Sequence, residues 1–208
     1  MSGPALLYGF DPICGWCYGF APAMRAMAAA RPDLPVRLAM SGLVTGARVG
    51  PAAAMEGYVR GAAARLEAVT GRAPSDAFYG WMRRPGAVAD SGPPAVAVDA
   101  VRRARPEAAL PFAHAVIEAH YGAGLDPNDP AAYAPFLAEH APGVALPDIH
   151  DPEAQEAAFA EGRALGIARF PTLLLRRADG AIEELPVIYD PAEAVQALDA
   201  RAPRTAAP

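Results

Sequence analysis

The sequence predicts an α/β fold carrying a long helical insertion, and three observations lead to it. A strand-like run, a helix-like run and a second strand-like run open the chain; no strand pattern appears from about residue 52 to residue 141; strand signals return only near the end, as a hairpin. The expected organisation is therefore a domain whose first half is 1–51 and second half 142–208, with a helical insertion over 52–141.

Taken in order, Pro4 to Phe10 is a short apolar run that reads as a buried strand, and Asp11-Pro12 turns the chain. Cys17 to Ala30 has the Ala- and Met-rich composition of a helix, and Asp33 to Ser41 alternates apolar positions as a second strand. This β-α-β order implies parallel pairing, a right-handed crossover and ligand approach at the carboxyl ends of the strands. Gly42 to Pro51 is a Gly-rich connector without phosphate-binding spacing. Met55, Tyr58, Val59, Ala62, Leu66 and Val69 recur at helical spacing on one apolar face. Asp76 to Arg84 is a shorter helix stopped by Pro85. Pro93 and Pro94 open another after Ser91, running to about Ala104. Leu110 to Tyr121 is closed by Gly122-Ala123-Gly124, and Asp129-Pro130 starts a last one to about His140. The aromatic and Met positions of these helices are expected in a bundle core.

Strand and helix then alternate again. Asp151 to Leu165 is a helix ended by Gly166, and Phe170-Pro171 leads into a strand from Thr172 to Arg176. Asp179-Gly180 centres a hairpin turn into Ile182 to Val187, Asp190 and Glu193 suggest a capping box for a closing helix to about Ala200, and Arg201 to Pro208 reads as a frayed tail. Asp followed by Pro at 129, 151 and 190 predicts an N-cap and a first helical proline. Two parallel strands, then two antiparallel ones, make a thioredoxin-like layout interrupted by helices.

Composition narrows the function. Of 208 residues 53% are hydrophobic, yet no run approaches the length of a membrane span, and Met1-Ser2-Gly3-Pro4 has neither the basic start nor the apolar stretch of a secretory signal. A cytoplasmic protein is expected. Net charge −5 and pI near 5.4 argue against nucleic acid or an anionic membrane as partner. The only two cysteines are Cys14 and Cys17, at the predicted strand–helix junction. A structural zinc site wants four ligands, and the four His (114, 120, 140, 150) are scattered without a shared helix face. A disulfide closing so short a loop would constrain little of the unfolded chain. The thiolate is the reactive form of cysteine, and a Cys-x-x-Cys pair opening a helix favours it while holding a second sulfur ready to close a disulfide. Dithiol–disulfide exchange is the chemistry these residues point to.

Asp11-Pro12-Ile13-Cys14-Gly15-Trp16-Cys17-Tyr18-Gly19-Phe20, the helical insertion, and Arg169-Phe170-Pro171-Thr172 together resemble the DsbA-like thioredoxin superfamily. The similarity is greatest to its cytoplasmic branch of predicted protein-disulfide isomerases, near the FrnE-type oxidoreductases. The resemblance implies that Cys14 attacks, that Cys17 is the buried resolving cysteine, and that Pro171 is a cis proline turning the Phe170 backbone toward the pair. Gly-Trp between the cysteines differs from the Pro-His of the periplasmic oxidants, so redox poise does not carry over. Phe10, Ile13, Trp16 and Phe170 would form an apolar rim for substrate, and Arg169 could meet a glutathione carboxylate.

The expected activity is thus a thiol:disulfide oxidoreductase or isomerase acting on protein or small-thiol disulfides, needing no cofactor or metal, with glutathione as a possible redox partner. Two alternatives stand beside it: a glutathione-dependent transferase or isomerase on the same architecture, and a redox-sensing or chaperone-like binding module without turnover.

Overall fold

The structure, a computed structural model, describes residues 3–202. In chain order its elements are β1 (Ala5–Gly9), α1 (Gly15–Ala30), β2 (Val36–Ala39), β3 (Gly50–Pro51), α2 (Ala52–Thr70), α3 (Asp76–Met82), β4 (Val88–Ala89), α4 (Gly92–Ala104), α5 (Ala109–Ala123), α6 (Ala134–His140), α7 (Pro152–Ala164), β5 (Thr172–Arg176), β6 (Ile182–Leu185) and α8 (Pro191–Arg201). The main sheet has the order β2-β1-β5-β6. β1 pairs parallel with β2, Leu6 opposite Val36, and antiparallel with β5, Gly9 opposite Thr172; β6 closes the hairpin. This is the thioredoxin-like order, with everything from β3 to α6 outside the sheet.

β1 is central because its whole run is apolar, and every residue of it is buried. Alternation along the strands sends Leu6, Tyr8, Leu38, Leu173 and Leu175 into the large core shared with α1 and α8, while Ala5, Leu7, Ala39 and Leu174 meet Ile167 in a smaller cluster on the other face. The expected caps form: Asp129, Asp151 and Asp190 each accept from the N–H two residues on.

The structure corrects three expectations. Val88–Ala89 is a strand within the stretch expected to hold none, pairing with Gly50–Pro51; two residues are too short for a periodic signal. The hairpin's second strand stops at Leu185, and α8 runs on through Arg201; residues 203–208 of the expected tail lie outside the described residues. The apolar face of α2 is not bundle core: of its expected positions only Leu66 is buried, Tyr58 is 76% exposed and Val69 51% exposed.

Two devices hold the insertion over the start of α1. Pro22 lies inside α1 and has no N–H to give the Tyr18 carbonyl four residues back. Arg72, just after α2, supplies the missing donor at 2.9 Å, stacks 3.8 Å over the Tyr18 ring and pairs with Glu118 of α5. Gly19 supplies the close approach: a Cβ there would fall 2.8 Å from Leu66 and Thr70 of α2.

Candidate active site

The turn between β1 and α1 is held from three sides. Phe10 N–H donates to the Ala39 carbonyl, continuing the ladder one residue past the strand. The fully buried Asp11 carboxylate accepts from Ile13 N–H at 3.0 Å and from Leu43 N–H at 2.7 Å, tying the turn to the loop after β2. Tyr121 of α5 donates its hydroxyl to the Ile13 carbonyl at 2.7 Å. Burial pushes the Asp11 carboxyl up from its ordinary range, while the N–H groups of Leu43 and Ile13 pull the other way. Sequence reading took Asp11-Pro12 as a turn only; its bond to the N–H two residues on is the same local device as at the three expected caps.

Cys14 follows as the N-cap of α1, in extended backbone, with the first helical bond running from Tyr18 N–H to its carbonyl at 3.0 Å. Its sulfur makes no capping bond to the first N–H groups of the helix. Both thiols are free. Cys14 S–H makes a long contact of 3.8 Å to the Phe170 carbonyl, and the Phe170–Pro171 bond is cis. Cys17 is fully buried one turn into the helix, and that burial pushes its thiol well above the ordinary range, reinforced by neighbouring Cys14.

A partly open cavity of about 180 Å³ stands over Cys14. Its near wall is Ile13, Trp16 and Phe170; its far wall is the apolar face of α2, Met55 to Leu66; Phe78 and Trp81 of α3 with His120 and Tyr121 of α5 close the end. Ile13, Trp16 and Phe170 are thus brought together with Cys14 as expected from the sequence. Phe10 is not: it is fully buried against Tyr8 (5.4 Å between ring centres) and His114 (6.4 Å). Alternation puts it with Leu6 and Tyr8 on the core face, so it supports the turn from beneath and takes no part in the rim. Pro171 does not line the cavity but carries Phe170 into it. Arg169 is exposed, pairs with Glu184 and lies outside this cavity.

The α2, α3 and α5 residues are what sequence reading missed. Their helical periodicity was legible; that the face they form would stay open above a thiol depends on tertiary placement. Among the described residues no cluster of three or more His, Cys, Asp or Glu is placed to hold a metal ion, and no helix is long and apolar enough to cross a membrane.

No protein-family model matches the chain, and no curated protein matches it. Solved structures do. The cytosolic disulfide reductase DsbM from Pseudomonas aeruginosa is 31% identical with a TM-score of 0.81, covering 95% of this chain and 98% of its own. A second structure of that protein, with GSH, aligns at 29% identity and a TM-score of 0.78, covering 95% and 98%. A Nitrosomonas europaea protein, named as a candidate protein disulfide isomerase, shares the fold at 24% identity and a TM-score of 0.73, covering 95% and 97%.

Proposed function

The chain belongs to the DsbA-like thioredoxin superfamily and is a dithiol–disulfide oxidoreductase; from that premise we propose that Cys14 and Cys17 carry the exchange, that the protein works in the cytoplasm as a disulfide reductase, and that a small thiol of the glutathione type restores its dithiol. The observation that supports this reading best is the different placement of the two sulfurs. Cys14 alone reaches the cavity, at the start of a helix; Cys17 is sealed behind it.

Chemistry follows from that difference. The Cys14 thiolate attacks one sulfur of a substrate disulfide, the other sulfur leaves and takes up a proton, and a mixed disulfide remains on Cys14. Substrate cannot reach the buried Cys17, so this thiol is kept for the second step. It attacks the Cys14 sulfur, expels the second substrate thiol and leaves a Cys14–Cys17 disulfide, two electrons having passed to the substrate. The raised Cys17 pKa keeps this thiol protonated until a mixed disulfide forms beside it. In this reading the Phe170 carbonyl, 3.8 Å from the Cys14 sulfur, accepts from a substrate N–H beside the reacting disulfide. Two molecules of reducing thiol return the pair to the dithiol.

The test is trapping. Cys17→Ser should accumulate mixed disulfides with substrates in cell extract and with glutathione, resolvable by non-reducing electrophoresis and mass spectrometry, and Cys14→Ser should accumulate none. Equal trapping by both variants would void the assignment of roles.

A further inference from the structure

The cavity over Cys14 carries information about what the substrate sulfur is attached to. No Asp, Glu or Arg is among the residues lining it. Its only imidazole, His120, is buried, and burial lowers that ring to about 4, so it is neutral at physiological pH. The two carboxylates and the ammonium of a glutathione moiety find no charged partner inside and would stay at the open mouth, in water, so the interior is built for something else. The volume, about 180 Å³, is close to the roughly 150 Å³ of an apolar protein cavity that takes up benzene. That is space for one ring, not for a length of folded chain.

The lining adds an aromatic preference. Beside Trp81, which is 2% exposed, the rings of Trp16, Phe78, Tyr121 and Phe170 surround the space, and ring-to-ring contact favours an aromatic occupant over an aliphatic one of equal size. Across the cavity the α2 face offers Val59 and Ala62, only half-buried, which an occupying ring would cover.

We infer that this cavity binds a single uncharged aromatic group attached directly to the reacting sulfur, so that the preferred substrates are small aromatic disulfides. The inference rests on the exchange chemistry proposed above and adds the substrate class. The reaction balances without a further reductant in a single turnover. The reduced protein gives up the two thiol protons and two electrons of Cys14 and Cys17, one aryl disulfide becomes two aryl thiols, and the Cys14–Cys17 disulfide remains.

Pre-reduced protein is mixed with 2,2′-dithiodipyridine, an uncharged aromatic disulfide with ring acceptors, and separately with 5,5′-dithiobis(2-nitrobenzoate), whose rings carry carboxylates. Each rate of thiol release is divided by that of free glutathione with the same reagent, which cancels intrinsic reactivity. Burial of one ring against rejection of a carboxylate should give a normalised preference of about tenfold or more for the dipyridyl reagent. Ala62→Phe, which fills the cavity from α2, should bring that preference to within about threefold of unity. Cys14→Ser protein titrated with 2-(methylthio)pyridine, which has no disulfide to exchange, should show saturable quenching of emission, because Trp16 and Trp81 are the chain's only tryptophans and both line the cavity. Equal normalised rates, or the absence of saturable quenching, overturn the inference. So does a peptide disulfide flanked by phenylalanine that outruns both reagents, which would assign the cavity to a client side chain. Release of no thiol from either reagent would instead remove the oxidoreductase reading itself.

Discussion

His114 and His120 should make this protein acid-labile well above the range where carboxylates protonate. Both sit on α5, both are buried, and burial lowers them to about 3 and about 4; for His114 the nearby Arg25 and Arg72 charges add to the effect. His120 at least gives Nδ1 to a 2.9 Å bond with the Leu125 carbonyl, whereas neither ring nitrogen of His114 has a partner. The sign follows from the unfolded value of about 6.5. Each folded value is depressed, so the stabilisation is complete above pH 6.5 and is lost as pH falls toward the folded values, since the unfolded chain takes up protons the folded one refuses. Between pH 7 and pH 5 each imidazole removes about 2 kcal/mol of stability, about 4 kcal/mol for the pair. Asp11, whose carboxyl is raised by burial, acts with the opposite sign in the carboxylate range, so the clean measurement is a difference between variants. His114→Phe keeps a ring against Tyr8 and Phe10 and removes two unpartnered polar atoms. It should cost little at pH 7 and reduce the pH 7-to-5 loss by about 2 kcal/mol. Urea unfolding at pH 7, 6 and 5 with equal m-values in both proteins is the assay. A loss that is the same in wild type and His114→Phe, to within about 0.5 kcal/mol, would refute the argument that His114 is held neutral by burial.

The trapping and aromatic-disulfide experiments above are joined by two tests of the insertion's anchorage. Arg72→Leu should cost about 1.5–3 kcal/mol, because the Tyr18 carbonyl and Glu118 both lose a charged donor; in a Pro22→Ala background, where the helix supplies its own N–H to Tyr18, that cost should shrink by about 1 kcal/mol, and a double-mutant cycle showing no coupling would contradict the substitution of one donor by the other. Tyr121→Phe removes the 2.7 Å bond to the Ile13 carbonyl and should cost about 1 kcal/mol while slowing reaction at Cys14 several-fold, read by stopped-flow exchange with a small disulfide; unchanged exchange would mean that Asp11 and the Phe10–Ala39 bond hold the turn without it.

How much of this was legible depended on whether the signal was local. The Asp residues read before a proline, at 11, 129, 151 and 190, each take the N–H two residues on, so a dipeptide was enough to place turns and helix starts; Asp126, which the sequence reading passed over, does the same. The Cys14–Cys17 spacing, the hairpin at Asp179-Gly180 and the glycine stop at Gly124 are local in the same sense; at Gly124 the backbone is left-handed, and a Cβ would fall 2.3 Å from the Ala77 carbonyl. What sequence could not show is which side of an amphipathic helix meets protein and which meets empty space. The positions Met55, Val59, Ala62 and Leu66 look the same as a core stripe, yet they face a cavity. Phe10 fails for the mirror reason. Being next to a reactive turn says nothing about direction, and strand alternation turns it inward.

The two glycines flanking Cys17 separate packing from chemistry. At Gly19 a side chain would collide with Leu66 and Thr70 at 2.8 Å, so the approach of α2 to α1, and with it the far wall of the cavity, depends on having none there. At Gly15, between the cysteines, a Cβ would lie 3.6 Å from the Tyr121 hydroxyl and 3.7 Å from Leu66, which is ordinary contact. Packing therefore demands glycine one turn into the helix and does not demand it inside the redox pair. A side chain at 15 would instead occupy the space beside the Cys14 sulfur, on the cavity side, where Trp16 already forms part of the wall. The Gly-Trp dipeptide thus leaves one neighbour of Cys14 without a side chain and makes the other an aromatic part of the wall, the arrangement that the proposed exchange with a flat aromatic disulfide requires.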